Sequence, residues 1–170
     1  MRLDSQKKSS CWADLKNINV YIDQEKVLSN INISLNQGET TLILGPNGSG
    51  KSTFLKLLNR SIYPIIATHS SFKLFNKENI NIWDLRKNVG FLLKEMESRV
   101  NTGVSLYDLI TSGFSGTFNS RYSKSISKKE ASKIENLIND WELNNIIDKE
   151  FQSLSDGQKR RALIARALVY

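Results

Sequence analysis

The sequence predicts an α/β fold on three observations. A short apolar run at residues 40–44, TTLIL, leads into the glycine-rich bend LGPNGSGKST of residues 44–53, and apolar residues at helical spacing follow that bend. Before it, two segments alternate apolar and polar residues with the period of a half-buried strand. After it, two sequences with the capping-box pattern Ser-x-x-Glu or Ser-x-x-Gln stand directly before apolar helical stretches. With 170 residues, 39% of them hydrophobic, the chain can build one domain or a large part of one around a real core.

Taken in order, the N-terminal MRLDSQKKSSCW carries no apolar run after its charges, and no later segment approaches the roughly 18 apolar residues of a membrane span. The chain therefore reads as soluble, though able to dock on a membrane protein. Residues 13–22 place Ile18, Val20 and Ile22 on one face and Asn17, Asn19 and Tyr21 on the other, and residues 27–35 repeat the alternation. The turn NQG at 36–38 follows, and two antiparallel strands are the economical arrangement. The run 40–44 reads as a short strand buried in a sheet and ending at Gly45. From Ser52, residues Phe54, Leu55, Leu57 and Leu58 predict a helix that continues until Pro64 forbids it.

Residues 72–93 read as short strands around a polar link, the last being NVGFLL. SLYDLITSGF reads as a short helix stopped by Gly113, and FSGTFNSRYSKS as a loop. The box Ser127-Lys128-Lys129-Glu130 opens a helix with Ala131, Ile134, Leu137, Ile138 and Trp141 on one face. A second box, Ser155-Asp156-Gly157-Gln158, opens a final apolar helix running to Tyr170. No internal repeat is visible.

The formal charge of +7 fits an anionic partner and equally an ordinary lysine-rich surface. Cys11 is the single cysteine, so neither an internal disulfide nor a cysteine-based zinc site can form, which points to a reducing compartment. His69, the single histidine, lies among polar neighbours and reads as a surface residue.

The bend has the pattern of a phosphate-binding loop: Gly45, four residues, then Gly50-Lys51-Ser52. Glycines at 45, 48 and 50 let consecutive main-chain N–H groups wrap an anion in conformations that a β-carbon hinders. Pro46, Asn47, Ser49 and Thr53 complete the wrapping segment. The helix that follows turns its positive end to the same anion, Lys51 reaches the outer phosphates, and the Ser52 hydroxyl can ligate magnesium. A glycine turn that merely joins strand to helix leaves Lys51 and Ser52 unexplained.

A phosphate loop identifies a ligand class, and the segment Leu154-Ser155-Asp156-Gly157-Gln158 narrows it, because it matches the L-S-x-G-Q signature of ATP-binding cassette (ABC) proteins. With both motifs the chain resembles the nucleotide-binding domain of an ABC ATPase over nearly everything after Lys16. LYDLITSGFSGTFNSRY and LSDGQKRRALIARALV are similar to ABC ATPases related to molybdate transport. The resemblance implies a P-loop NTPase fold with an N-terminal antiparallel β-subdomain and, at about 95–153, a helical subdomain within one domain spanning 1–170. It implies ATP and Mg2+ as cofactors. It also implies a second ABC domain, paired head to tail so that Ser155, Gly157 and Gln158 face the partner's nucleotide, and a transmembrane permease that residues 106–118 would approach. The chain would then be the motor subunit of an importer, on the cytoplasmic side of the inner or plasma membrane, with a metal oxyanion as the solute suggested by the resemblance.

The local chemistry agrees with part of this. A serine cap, a glycine and a helix N-terminus make an anion site, whereas a plain capped helix explains Ser155 and Gln158 but not Leu154 and Gly157. Tyr21 falls where the family places an aromatic on adenine; opposite the apolar face, it is free to stack, and stacking adds on the order of 1 to 3 kcal/mol with any base. An exposed strand tyrosine without a role is the alternative.

Three departures from the family stand out. Its glutamine after the VGF-type strand is replaced by Lys94, which cannot ligate a cation, or, with a shifted alignment, by Glu97, which can. The middle glycine of the signature is Asp156. The sequence ends at Tyr170, before the family's apolar strand ending in Asp-Glu and its switch histidine, which hold magnesium and activate water. The expectation is an ABC domain incomplete at its C-terminus that binds ATP and completes a partner's site, without a general base in this stretch. Such a chain would leave a sheet edge and a helix face uncovered and be marginally stable. Two other functions are a nucleotide-binding module without hydrolysis and a nucleic-acid or ribosome-associated ABC ATPase. Chromosome-condensation enzymes insert a long coiled coil between the motifs, whereas here Thr53 to Leu154 spans 154 minus 53, or 101, positions without sustained heptads. The translation-associated proteins join two complete domains.

Overall fold

The two alternating segments pair as a long hairpin, β1 (Cys11–Ile22) and β2 (Glu25–Asn36), in the computed structural model, which describes residues 10–118 and 126–169. Asp23 and Gln24 join them with φ of 48° and 69°, positive at both positions as a tight hairpin turn requires. A third strand, β3 (Ser71–Leu74), runs antiparallel along the other edge of β1, giving the order β2-β1-β3.

One face of β1 is buried through Ala13, Leu15, Ile18 and Val20. The change from odd to even positions is a bulge: the register shifts between Leu15 and Ile18, and Asn17 takes a φ of 56°. Asparagine side chains mend the ladder there. Asn17 N–H donates to Asn32 Oδ1 at 2.9 Å, and Asn30 N–H donates to Asn19 Oδ1 at 3.0 Å. Ile22, expected with Ile18 and Val20, lies beyond the buried stretch and is 40% exposed.

Residues 40–44 form no strand, contrary to expectation. They are exposed, with Leu42 at 77% and Leu44 at 80%. Strand propensity is realised only beside a partner, and among the described residues none pairs with this run, since β1 has both edges filled by β2 and β3.

Helix α1 (Lys51–Leu58) buries Phe54, Leu57 and Leu58. It stops well before Pro64, because the chain turns left-handed at Arg60, φ 59°. Ser61 N–H then donates to the Lys56 carbonyl at 3.0 Å and Arg60 N–H to the Leu57 carbonyl at 3.2 Å. Arg60 is held in that conformation by its guanidinium, 4.1 Å from the Phe72 ring centre, and by an Nη2 hydrogen bond of 2.9 Å to the Glu78 carbonyl.

After β3 the expected strands give way to helix. Asn81 caps α2 (Ile82–Asn88), its side chain accepting from Trp83 N–H at 2.8 Å and its carbonyl from Leu85 N–H at 3.0 Å. The NVGFLL stretch is not a strand: Asn88 ends α2, residues 89–93 carry no regular element, and a 3-10 turn, Lys94–Arg99, follows.

The chain divides into two compact units, Met1–Leu85 and Arg86–Tyr170. The core of the second is a cluster that includes Leu106, Leu109 and Ile110 of α3 (Leu106–Thr111), Ile134 of α4 (Lys128–Asp140), Phe151, and Ala162 and Ala165 of α5 (Asp156–Ala167). Both predicted capping boxes form, at Ser127 with Glu130 and at Ser155 with Gln158. Gly113 does not stop α3: the chain continues through it as a 3-10 turn and ends at Gly116, φ 66°. The final helix ends at Ala167 instead of running on; Tyr170 and the loop residues 119–125 lie outside the described residues.

Candidate functional site

The bend after residue 44 has the backbone its glycines imply. Gly48 and Gly50 hold φ of 83° and 86°, the left-handed region in which side chains are strained. Gly50 is the N-cap of α1 and supplies no side-chain cap; the first helical bond, Phe54 N–H to the Gly50 carbonyl at 2.8 Å, leaves the N–H groups of Lys51, Ser52 and Thr53 ahead of the ladder. The Lys51 ammonium folds back over the loop and donates to the Gly45 carbonyl at 2.8 Å, the Pro46 carbonyl at 2.7 Å and Ser49 Oγ at 3.4 Å. A cation, an uncapped helix start and left-handed glycines thus converge on an exposed loop that also contains Asn47. This arrangement attracts a polyanion.

The donor set fits a phosphate chain with its magnesium. Among the described residues no group of three or more His, Cys, Asp or Glu could hold a metal by itself. The Ser52 hydroxyl is exposed at the helix start, where it could serve as one magnesium ligand beside phosphate oxygens. Tyr21, 40% exposed, lies opposite Lys26 in the hairpin register, and the Lys26 ammonium stands 5.5 Å from its ring centre. Lys26 is a neighbour of Tyr21 that strand alternation alone does not point to. The hairpin register, once its two-residue turn is known, places it across from Tyr21.

In the second unit Ser155 caps α5, its Oγ accepting from Gln158 N–H at 3.4 Å while Gln158 Oε1 accepts from Ser155 N–H at 3.0 Å. Leu154 is buried beneath, and Ser155, Asp156 and Gly157 are exposed. Among the described residues a Cβ on Gly157 would meet nothing within 4 Å, so no contact there demands a glycine. The opposite holds at Gly50, where a Cβ would strike Leu28. Lys94 and Glu97 are both exposed on the 3-10 turn Lys94–Arg99. His69 is exposed, as expected of a surface residue.

The sequence model of the ABC transporter family matches residues 28–170. The chain belongs to the ABC transporter family. Its fold agrees: CbiO1 from Clostridium perfringens, part of the ABC transporter complex CbiONQ, superposes with a TM-score of 0.72 at 25% identity, covering 94% of this chain and 61% of that one. The sulfate/thiosulfate import ATP-binding protein CysA of Pectobacterium atrosepticum is 31% identical over 159 residues, 92% of this chain and 45% of its own length. The phosphate import ATP-binding protein PstB of Staphylococcus saprophyticus is 33% identical, over 97% of this chain and 57% of its own. The chain thus spans about half the length of the curated ABC relatives it matches.

One buried group of this ABC domain escaped the sequence reading. Arg166 is 8% exposed, inside the otherwise apolar face formed by Ala162, Leu163, Ala165 and Val169. An arginine at that helical spacing was the available signal.

Proposed function

We propose that the chain is the ATP-binding part of an ABC transporter subunit, binding MgATP to drive transport by a membrane partner. The observation that carries this is the phosphate loop itself: Gly48 and Gly50 left-handed, α1 without a side-chain cap, and the Lys51 ammonium already over the loop at 2.7–2.8 Å from two carbonyls. Main-chain N–H groups of residues 47–53 would donate to phosphate oxygens, Lys51 would turn from its carbonyls to the outer phosphates, and Ser52 would hold Mg2+, whose charge offsets that of the phosphates. Tyr21 would carry the adenine.

Leu154, Ser155, Asp156, Gly157 and Gln158 would complete the site of a second ABC domain in a head-to-tail pair. The open space around Gly157 supports a role toward something outside this fold. Residues at about 95–153 would act as the helical subdomain of a single 1–170 domain, and residues 106–118 would approach a permease at the cytoplasmic face of the membrane. No described helix is long and apolar enough to cross a membrane. ATP hydrolysis is proposed for the whole protein, with no residue described here as its general base.

The solute is a separate matter. Relatives named for import of sulfate/thiosulfate, zinc and phosphate match at 31%, 29% and 33% identity, so the likeness follows the ATP chemistry and not the cargo. The finer proposal of a molybdate-type oxyanion rests on the two segments similar to molybdate-transport ATPases.

The test is equilibrium binding of MgATP by calorimetry to the chain and to Lys51→Ala. Loss of more than about tenfold in affinity with the fold intact supports the proposal; equal binding by both removes its basis.

A further inference from the structure

Arg166 occupies a place that calls for explanation. Arg166 is 8% exposed, and its guanidinium has no carboxylate within ion-pair distance among the described residues. Instead Nε donates to Ser112 Oγ at 3.3 Å, Nη2 donates to the Thr117 carbonyl at 2.7 Å, and the Phe118 ring lies with its centre 3.9 Å from Cζ. Ser112 is 4% exposed and spends its own hydrogen on the Leu109 carbonyl at 2.6 Å, so its oxygen is held as an acceptor for Arg166. Burial, reinforced by the nearby charge of Arg86, pushes the guanidinium down to about 10, still charged at neutral pH.

A buried cation without a counter-ion is a poor source of stability, and a methionine, shorter but apolar, would occupy much of the volume without desolvating a charge. What the guanidinium adds is direction. Two N–H bonds and a stacked planar face fix three successive points of residues 112–118 against the last turn of α5. The same turn receives Gly113, where a Cβ would come 2.6 Å from the Arg166 carbonyl oxygen, and Gly90, where a Cβ would overlap the Ala167 carbonyl. The arm 112–118 therefore touches α5 backbone to backbone as well as through Arg166. At its other end the same helix begins with Ser155 as its cap and Gly157 in its first turn.

We propose that Arg166 is a positioning residue that clamps the arm 112–118 to α5, so that a displacement of the arm is carried along the helix to Ser155 and Gly157. The proposal rests on the reading that these two residues complete an ATP site across a dimer. Arm, clamp and signature all belong to the second unit, and α5 is one unbroken helix between them.

The test uses the full-length, ATP-hydrolysing protein and its Arg166→Met, Arg166→Lys, Ser112→Ala and Lys51→Ala variants. Arg166→Met is expected to keep its melting temperature and its KM for ATP while kcat falls about tenfold, the size of change that a residue linking two sites produces. Arg166→Lys keeps the charge without the planar pair of donors and is expected to resemble Arg166→Met. Should Arg166→Met fail to fold, Ser112→Ala removes one acceptor alone and is expected to lower kcat by about threefold at constant KM. A folded Arg166→Met, or in its place Ser112→Ala, with wild-type kcat, or with its loss carried by KM, overturns the clamp. Undiminished ATP binding by Lys51→Ala would instead remove the phosphate-loop ATP site that Ser155 and Gly157 are proposed to complete, and with it the reading on which the clamp rests.

Discussion

Gly50 stands directly against Leu28: a Cβ on Gly50 would lie 2.6 Å from Leu28 Cδ2 and 3.3 Å from the Val27 carbonyl oxygen. The phosphate loop is thereby seated on β2, and its last glycine is required by contact as well as by its φ of 86°. Gly50→Ala combines a left-handed alanine, about 1–2 kcal/mol, with an overlap against a buried leucine, about 1–3 kcal/mol. A loss of roughly 2–5 kcal/mol in urea unfolding is expected, and with it the loss of MgATP binding. A wild-type urea midpoint would show that the loop is not seated in this way.

Gly157→Ala should behave in the opposite manner. Nothing lies within 4 Å of its Cβ, and it is in the first turn of α5, where alanine is the better helix former. Thermal unfolding is expected to be unchanged or raised, by up to about 1 kcal/mol. On the proposed head-to-tail pairing, turnover that depends on the partner domain is expected to fall, because the added methyl group would enter the space proposed for the partner's nucleotide. A variant that melts early would locate the demand for glycine inside the fold.

What the sequence made legible was chemistry with local causes. Ser127 with Glu130 and Ser155 with Gln158 announce helix starts because capping is settled within three residues, and the glycines of 45–52 announce the left-handed bend at Gly48 and Gly50 for the same reason. The hairpin was legible from alternation, though its bulge was not: Asn17 and Asn30 are held by the side chains of Asn32 and Asn19 across the strands, a contact that no single strand reveals. The strand expected at 40–44 and the one expected at NVGFLL failed because a strand depends on a neighbour. Arg166 failed to register because its partners, Ser112 and the Thr117 carbonyl, are distant in sequence.

Gly113 was expected as a helix stop and is instead a point of close approach. A helix stop tolerates alanine when φ is ordinary, whereas here a Cβ would press on the Arg166 carbonyl oxygen at 2.6 Å and on the Val169 side chain. Gly113→Ala is expected to cost about 1–3 kcal/mol by overpacking. Gly103→Ala is the control: it has φ of 77° and open space, so its loss is limited to about 1–2 kcal/mol of backbone strain. Equal urea midpoints for wild type and Gly113→Ala would refute the close approach.

Ser34 Oγ donates to Asp14 Oδ1 at 2.7 Å across β1 and β2, and this bond, assisted by Lys16, holds the Asp14 carboxyl below its ordinary value. A carboxyl lowered on folding stabilises the fold above its unfolded pKa, and that contribution fades as pH falls through the folded pKa. Ser34→Ala should raise the Asp14 pKa in an NMR titration. Its stability deficit, up to about 0.5 kcal/mol for this partly exposed pair, should be complete at pH 7 and shrink on acidification. A deficit that grows toward low pH would reverse the assignment.

Leu42 and Leu44 offer the sharpest contrast between composition and placement. At 77% and 80% exposure they leave little apolar area to be lost on substitution, whereas two leucines in a buried strand would each cost about 2–5 kcal/mol when truncated. Leu42→Thr together with Leu44→Thr, made in the 170-residue chain, is therefore expected to leave the unfolding free energy within about 0.5 kcal/mol. Threonine keeps the strand propensity of the run, so the substitution isolates burial from backbone preference. The apolar surface removed is of the kind that drives association, so sedimentation should show less self-association in the double variant. Destabilisation by several kcal/mol would mean that residues 40–44 are covered in solution, and that a strand lies beside them after all.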